Sequence, residues 1–308
     1  MNSKKNLPSN KRKNKTGTRA GQLRRFPQIL CLVFLFSLQT IHAQTNDKDT
    51  IPGTKGKVDV APETPKERKE SKRIYSVKQF AKESFLFVRQ PLRWKAKDWL
   101  HVGEIAAGTA LLTLADQPLR DTTQGAQKYY HSFWIEGGRI YGEAYSIGGV
   151  AAIFGLVGLI ANDTSASKMS IELVQAGLYS ELVTVLLKMS VGRARPYMDR
   201  GAGTFKPFVG INTGYNSYPS GHSTSAFALS TVMSRHADPL ALKIAAYIPA
   251  GFTLFSRIYQ DKHWVSDELL GAAFGFFVGN WVVDLHEEPR HRINITSLYP
   301  IGVSYSFK

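Results

Sequence analysis

Long apolar stretches alternate with short polar segments over most of the chain beyond residue 99. The apolar and helix-compatible stretches lie at approximately 99–115, 144–161, 171–189, 222–235, 240–257 and 265–285. Several of them approach the ~20 residues that a helix needs to cross a bilayer. The pattern therefore predicts an all-α fold, a bundle of about six core helices that is membrane-embedded or membrane-associated.

Two features of these stretches bear on the membrane question. Small residues that allow close packing of helices recur along them: Gly148, Gly149, Gly155, Gly158, Ala272, Ala273, Gly275 and Gly279. Charged residues also lie inside or near them, at Glu104, Glu172, Glu181 and Lys243, and mean hydropathy is −0.18. Because a charge that faces lipid is costly, a soluble helical bundle stays open as an alternative.

The segment between residues 76 and 99 mixes aromatic and aliphatic residues with basic ones. Phe80, Phe85, Phe87, Val88, Leu92, Trp94 and Trp99 alternate with Lys78, Lys82, Arg89, Arg93, Lys95 and Lys97. Such a mixture suits a helix lying at a membrane surface, and it equally suits an amphipathic helix that covers the core. The two interpretations remain open at the level of the sequence.

Charge is concentrated at the N-terminus. The chain of 308 residues has a net charge of +15, and nine of its 39 Lys and Arg residues lie within residues 1–43, which hold no acid. A basic region, a short apolar run from 29 to 38 and Ala43 as a cleavage point predict a secretory signal peptide. Ile41 is a poor match to the small-residue rule, so an uncleaved N-terminal anchor is the alternative. The single cysteine, Cys31, lies within this segment.

The remainder divides into three parts by composition. Residues 44–75 are polar, charged and punctuated by proline, which predicts a disordered linker. Residues 76–287 are expected to form the folded domain. In the tail, 288–308, apolar residues fall on alternate positions from Ile293 to Phe307, which predicts a short strand or an extended tail.

Three short motifs near the C-terminal end carry the candidate chemistry. They are Lys188 with Arg195-Pro196, then Pro219-Ser220-Gly221-His222, then Ser256-Arg257 with His263 and Asp267. Together they supply three cations, a glycine turn with free N–H groups, two histidines and a carboxylate. This set is suited to binding a phosphate and hydrolysing its ester without a metal.

A helical hairpin predicts that the motifs meet in space. The arms 220–235 and 240–257 are each roughly 24–27 Å long at 1.5 Å per residue, so the second arm returns to the end of the bundle where the first begins. Arg257 and His263 are therefore expected beside His222. Lys188 and Arg195 join them if the helix 171–189 ends on the same side.

The residue types fit separate tasks. Ser220 can cap the helix that follows it, and its free N–H groups favour an anion. Arg195 and Arg257 can grip phosphate oxygens in pairs, and a histidine can attack phosphorus or protonate an alkoxide. Asp267, four residues after His263, can hold the other imidazole nitrogen. Arg193, by contrast, is interpreted as a surface charge.

Taken together, the three motifs resemble the complete signature of the type 2 phosphatidic acid phosphatase (PAP2) and vanadium haloperoxidase superfamily, over roughly residues 95–285. The resemblance implies metal-independent hydrolysis through a phosphohistidine. It makes His263 the nucleophile, oriented by Asp267, and His222 the general acid. It also assigns phosphate binding to a further set: Lys188, Arg195, Ser220, Gly221 and Arg257.

The resemblance implies a phosphoric monoester hydrolase, and the number of long apolar helices with the Trp- and Lys-rich segment 76–99 favours phosphorylated lipids as its substrates. Candidates are phosphatidate, phosphatidylglycerol phosphate, a polyprenyl pyrophosphate or lipid A. The protein would lie in the inner membrane of a bacterial envelope with its site facing the periplasm. The alternatives are a soluble periplasmic acid phosphatase of broad specificity and, less favoured, a vanadium-dependent haloperoxidase. No cofactor, metal, nucleic acid or obligate protein partner is expected.

Overall fold

The computed structural model describes residues 75–210, 214–287, 294–298 and 301–304, of which 125–127 and the two strands are described by their backbone alone. The predicted signal peptide, 1–43, and nearly all of the predicted linker, 44–75, lie outside these residues, as do parts of the tail. All three candidate motifs, from Lys188 to Asp267, lie within them.

Nine α-helices account for most of the described chain, which confirms the all-α prediction. They are α1 (Val77–Val88), α2 (Ala96–Thr123), α3 (Phe133–Tyr141), α4 (Ala144–Ile160), α5 (Thr164–Val191), α6 (Gly221–His236), α7 (Leu240–Ala245), α8 (Ile248–Tyr259) and α9 (Val265–His286). Short 3₁₀ turns lie at Gln90–Arg93, Gln124–Tyr129 and Pro196–Met198. In the tail, β1 (Asn294–Leu298) pairs antiparallel with β2 (Ile301–Ser304).

The hydrophobic core lies between α4, α5, α6 and α9. Its fully buried members include Leu173, Ala176, Ala228 and Val282. The central helix α6 is unusual in that most of its buried residues are small Ser, Thr and Ala. Small side chains let neighbouring backbones approach closely, so α6 can be enclosed on several sides.

The close approach of α9 to α6 depends on glycine. A Cβ placed at Gly271 would lie 2.4 Å from the Ser220 carbonyl oxygen, and one at Gly275 would lie 2.2 Å from that of Thr224. Both contacts are with backbone and cannot be relieved by rotating a side chain. The small residues of 265–285 therefore bring the start of α9, with Asp267, directly against the start of α6.

Two of the helices, α5 and α9, are long and apolar enough to cross a membrane, and the bent pair α3–α4 would add a third if counted as one span. An apolar stripe along α5 is exposed, comprising Val174, Leu178, Leu182, Leu186 and Met189. Water-exposed apolar surface of this extent is uncommon on soluble monomers. The outer face of the bundle therefore suits lipid.

The segment 76–99 divides into α1 and a 3₁₀ turn, because Pro91 cannot continue the helix. Phe87 of α1 stacks on Tyr179 of α5 at a ring-centroid distance of 4.6 Å. Its other side exposes Val77, Phe85 and Val88. The helix thus covers the core on one side and presents apolar and basic residues on the other, so it combines features of both interpretations.

Candidate active site

The site is built at one end of the bundle, where helices of opposite direction meet. The C-terminal ends of α5 and α8 lie there with the N-terminal ends of α6 and α9. As predicted, α6 begins just after Ser220, whose hydroxyl accepts a hydrogen bond from the Ser223 N–H at 3.3 Å. The Ser220 N–H in turn donates to the Asp267 carbonyl at 3.0 Å. This bond fixes the start of α6 to the start of α9.

Two of the three predicted cations meet at Asn216, in the loop before α6. Lys188, at the end of α5, donates from Nζ to the Asn216 carbonyl oxygen at 2.7 Å. Arg195 donates from Nε to the Asn216 side-chain oxygen at 2.8 Å. One residue therefore positions both cations, and the sequence offers no spacing rule that would have found it.

The third cation, Arg257, comes from α8 and is nearly fully buried. Its Nη1 donates to Gln260 at 2.7 Å, while its Nε is a buried donor without a hydrogen-bond partner among the described residues. A buried guanidinium donor is costly to leave unpaired, so it is suited to an anionic ligand.

His263 is held as a neutral ring with a defined tautomer. Its Nδ1 lies 2.8 Å from the Ser217 carbonyl oxygen, which can only accept, so Nδ1 carries the proton and Nε2 keeps its lone pair. Burial lowers the pKa of His263 well below its ordinary value, and Arg195, Lys188 and Arg257 lower it further. Lys188 and Arg195 are held at Asn216, the residue before Ser217, and so lie close to this ring.

His222 stands across from His263, with ring centroids 6.5 Å apart. Its Nε2 lies 3.2 Å from a carboxylate oxygen of Glu143, at the corner between α3 and α4. Burial lowers the pKa of His222, Arg257 and Arg195 lower it as well, and Glu143 acts in the opposite direction. The two histidines thus face each other with different partners.

Asp267 lies near His263 but does not bond it directly. Its Oδ2 is 3.7 Å from His263 Nδ1, beyond hydrogen-bond range, while the Ser217 hydroxyl donates to the same oxygen at 2.5 Å. Ser217 therefore stands between the two residues, its carbonyl on the histidine and its hydroxyl on the carboxylate. The direct contact expected from the i, i+4 spacing is replaced by this bridge.

The interpretation of Arg193 as a surface charge is wrong. The side chain is fully buried and donates to Asp267 and to Asp116 of α2, each at 2.7 Å. The Ser266 N–H and hydroxyl also donate to Asp116. The Gly192-Arg193-Ala194 stretch carries no apolar pattern, so the burial of this charge depends on partners distant in sequence.

All eight predicted site residues are thus brought to one end of the bundle. A neutral imidazole with a free Nε2, three cations and a second histidine surround the N-terminus of a helix, an arrangement suited to phosphoryl transfer. Among the described residues, no cluster of three or more His, Cys, Asp or Glu side chains has an arrangement that could hold a metal.

Comparison with known proteins gives several matches. Residues 171–290 match the model of the PAP2 superfamily. A lipid A 1-phosphatase of Porphyromonas gingivalis is 39% identical over 103 residues, 32% of this chain and 20% of that protein. A lipid A 1-phosphatase of Rhizobium johnstonii is 40% identical over 106 residues, 32% of this chain and 40% of that protein. The matches thus span less than half the length of these curated relatives.

Two solved structures are also similar. The match to the crystal structure of Aquifex aeolicus LpxE covers 49% of this chain and 83% of the LpxE chain, with a TM-score of 0.37 and 20% identity. The second is the crystal structure of the first transmembrane PAP2 type phosphatidylglycerolphosphate phosphatase from Bacillus subtilis. This match covers 61% of this chain and 96% of that chain, with a TM-score of 0.41 and 17% identity.

The family match spans all three motifs, from Lys188 to Asp267, and so agrees with the resemblance drawn from them. Over residues 171–290 this chain is thus similar to the PAP2 superfamily.

Proposed function

We propose that this protein is a metal-independent phosphatase that hydrolyses the phosphate ester of a lipid through a phosphohistidine. One observation carries the proposal: His263 and His222 face each other at 6.5 Å beside three cations, where α6 begins. The tautomer of His263 adds direct support, because Nε2 keeps the lone pair that a nucleophile needs.

The reaction divides into two displacements. His263 Nε2 attacks phosphorus, the ester P–O bond breaks, and His222 gives a proton to the departing oxygen. Water then attacks the phosphohistidine, His222 takes a proton from it, and inorganic phosphate leaves as the His263 ring is restored.

The remaining site residues bind and stabilise charge. The Lys188, Arg195 and Arg257 side chains, with the Gly221 N–H at the start of α6, bind the phosphate oxygens. While His263 carries the phosphoryl group its ring is cationic, and the buried Asp267 carboxylate, 3.7 Å from Nδ1, stabilises that charge.

A lipid substrate is supported by the surface around the site. The exposed apolar stripe of α5 runs toward Lys188, and a bundle embedded in a bilayer would hold this end at the water interface. The two curated relatives are both named lipid A 1-phosphatases. We therefore favour the phosphate group of a lipid A type glycolipid, at the periplasmic side of a bacterial inner membrane.

The test compares two substrates of the purified, detergent-solubilised protein. Phosphate release from dispersed lipid A should exceed release from a small water-soluble ester, and mass spectrometry of the lipid should show the loss of one phosphate. The His263→Ala variant, handled in parallel, should release none. Equal or better turnover of the soluble ester would contradict the lipid assignment and favour a periplasmic acid phosphatase of broad specificity.

A further inference from the structure

We propose that Glu143 is the positioning residue of the general acid: its carboxylate holds the His222 ring in the orientation from which the imidazole serves the leaving group. The inference rests on the proposed role of His222 and extends it to a residue outside the three motifs and outside 171–290. Glu143 does not touch the substrate in this proposal, since it acts through the imidazole.

The corner between α3 and α4 is shaped to bring this carboxylate to α6. The two helices are bent by 70° at a break that contains Gly142 and Glu143. A Cβ at Gly142 would lie 2.4 Å from Thr253 Cγ2 and 2.9 Å from the His222 carbonyl oxygen. Only glycine lets the corner approach this closely, and Glu143, the next residue, places Oε1 at 3.2 Å from His222 Nε2.

Glu143 is itself held in place. Arg139, one turn earlier, donates from Nη1 to Glu143 Oε1 at 3.1 Å and from Nε to Glu136 at 2.8 Å. Gln260 donates to the other oxygen of Glu136 at 2.9 Å and accepts from Arg257 at 2.7 Å. A chain of side chains therefore runs from the phosphate-binding Arg257 around α3 to the general acid.

The contact determines which nitrogen reacts. Because Nε2 is the nitrogen that lies next to the carboxylate, 3.2 Å from Glu143 Oε1, Nδ1 is left to deliver the proton to the departing oxygen. Arg257, Arg195 and His263 disfavour a second positive charge on this ring and lower its pKa, whereas Glu143 acts in the opposite direction. Without this carboxylate, the pKa of His222 would fall further and the ring would lose the partner beside Nε2.

The test exploits the fact that only a poor leaving group needs a proton. A series of lipophilic phosphate esters would share one alkyl chain and differ in the leaving group, from an alkyl alcohol to an acidic nitrophenol. The measured quantity is kcat/KM, which reports steps only as far as departure of the alcohol. In Glu143→Gln, kcat/KM should fall roughly 10- to 100-fold for the alkyl ester and less than about threefold for the nitrophenyl ester.

Two controls define the outcome. Glu104→Gln removes a glutamate–histidine pair of the same kind from an exposed part of α2, where Glu104 lies 3.1 Å from His101, and it should leave the whole series unchanged. His222→Gln should show the same leaving-group dependence as Glu143→Gln, more strongly. Thermal melting of each variant verifies that the fold is retained, as the Glu143 side chain is partly exposed and glutamine has its size.

The failures are distinguishable. A uniform fall across the series in Glu143→Gln, or no change, while His222→Gln shows the dependence, would overturn the role of Glu143 and leave the proposed function intact. If His222→Gln also lacks the dependence, then the general-acid assignment fails and this inference fails with it. Even then, a phosphoenzyme on His263 would show that His263 is the nucleophile.

Discussion

Arg193 donates from Nη1 to the carboxylate of Asp267 at 2.7 Å, and both side chains are fully buried. From Nη2 the same guanidinium donates to Asp116 at 2.7 Å. One buried cation therefore connects α2 to the start of α9 and lies between two carboxylates. The site depends on this pairing, since Asp267 could not remain ionised in the interior without a cation.

Removing the guanidinium should therefore destabilise the fold. In Arg193→Met, Asp116 and Asp267 are left as uncompensated buried carboxylates, and the expected loss is about 3–5 kcal/mol in the free energy of unfolding. Chemical denaturation of the detergent-solubilised protein measures it. Arg200→Met, an exposed arginine of the same loop, is the matched control and should stay within about 0.5 kcal/mol of the unmodified chain.

The contact between α6 and α9 should be equally intolerant of added volume. Gly275→Ala places a methyl group against the backbone of Thr224, and the helices must separate, at a cost of about 1–3 kcal/mol. Gly148→Ala is the control, because no atom lies within 4 Å of the added Cβ. A lower melting temperature for Gly275→Ala alone is expected, and equal melting temperatures would show that the packing adapts.

The apolar pattern and the motif spacing were sufficient to predict the helices that hold the site. The predicted segments 144–161, 222–235 and 265–285 agree closely with α4, α6 and α9. The segment 240–257 is divided into α7 and α8, since Pro249 lies in the first turn of α8 and starts a new helix there. The hairpin argument nevertheless holds, because α8 still returns Arg257 to the start of α6.

What the sequence could not predict is the set of polar contacts between distant segments. Residues 116–143 carry no recognisable motif, yet they supply Asp116, α3 and Glu143. A helix of only nine residues such as α3, with the weak helix formers Gly137 and Gly138 inside it, is too short to be recognised from its pattern. Likewise, i, i+4 spacing placed Asp267 near His263, but only the loop conformation puts Ser217 between them.

The pH dependence of kcat/KM should reflect the neutral ring of His263. Because burial and the three cations lower its pKa, the nucleophile stays unprotonated below the ordinary histidine value of about 6.5, and the acid limb should lie below that pH. Arg195→Gln removes a repelling cation, so the pKa of His263 rises and the acid limb moves to higher pH.

The comparison between variants isolates this effect, since protonation of the substrate phosphate contributes equally to both profiles. Arg93→Gln, an exposed residue after α1, serves as the control and should keep the original acid limb. An acid limb that moves to lower pH in Arg195→Gln, or that does not move, would contradict the proposed electrostatic cause.

Chelation provides a separate check on the mechanism. Since Lys188, Arg195 and Arg257 supply the positive charge that a metal supplies in other phosphatases, incubation with EDTA should leave the rate of phosphate release unchanged. The measurement is turnover before and after chelation, followed by addition of Mg²⁺. Loss of activity on chelation with rescue by Mg²⁺ would contradict a metal-independent reaction.

The covalent intermediate gives the most direct test of the nucleophile. The protein is mixed with a ³²P-labelled substrate and quenched rapidly without acid. This should trap a phosphoenzyme whose label is stable to alkali and lost in acid, as expected for a phosphorus–nitrogen bond. His263→Ala should trap none, and its turnover should fall by more than about a thousandfold. His131→Ala is the matched histidine control, because that side chain is 84% exposed.

Since the second displacement needs His222 as a base, His222→Gln with a nitrophenyl ester should accumulate the labelled enzyme rather than lose it. Label on a residue other than His263 would contradict the nucleophile assignment. Label on His263 that is absent in His263→Ala and increased in His222→Gln would support both roles, the nucleophile and the base.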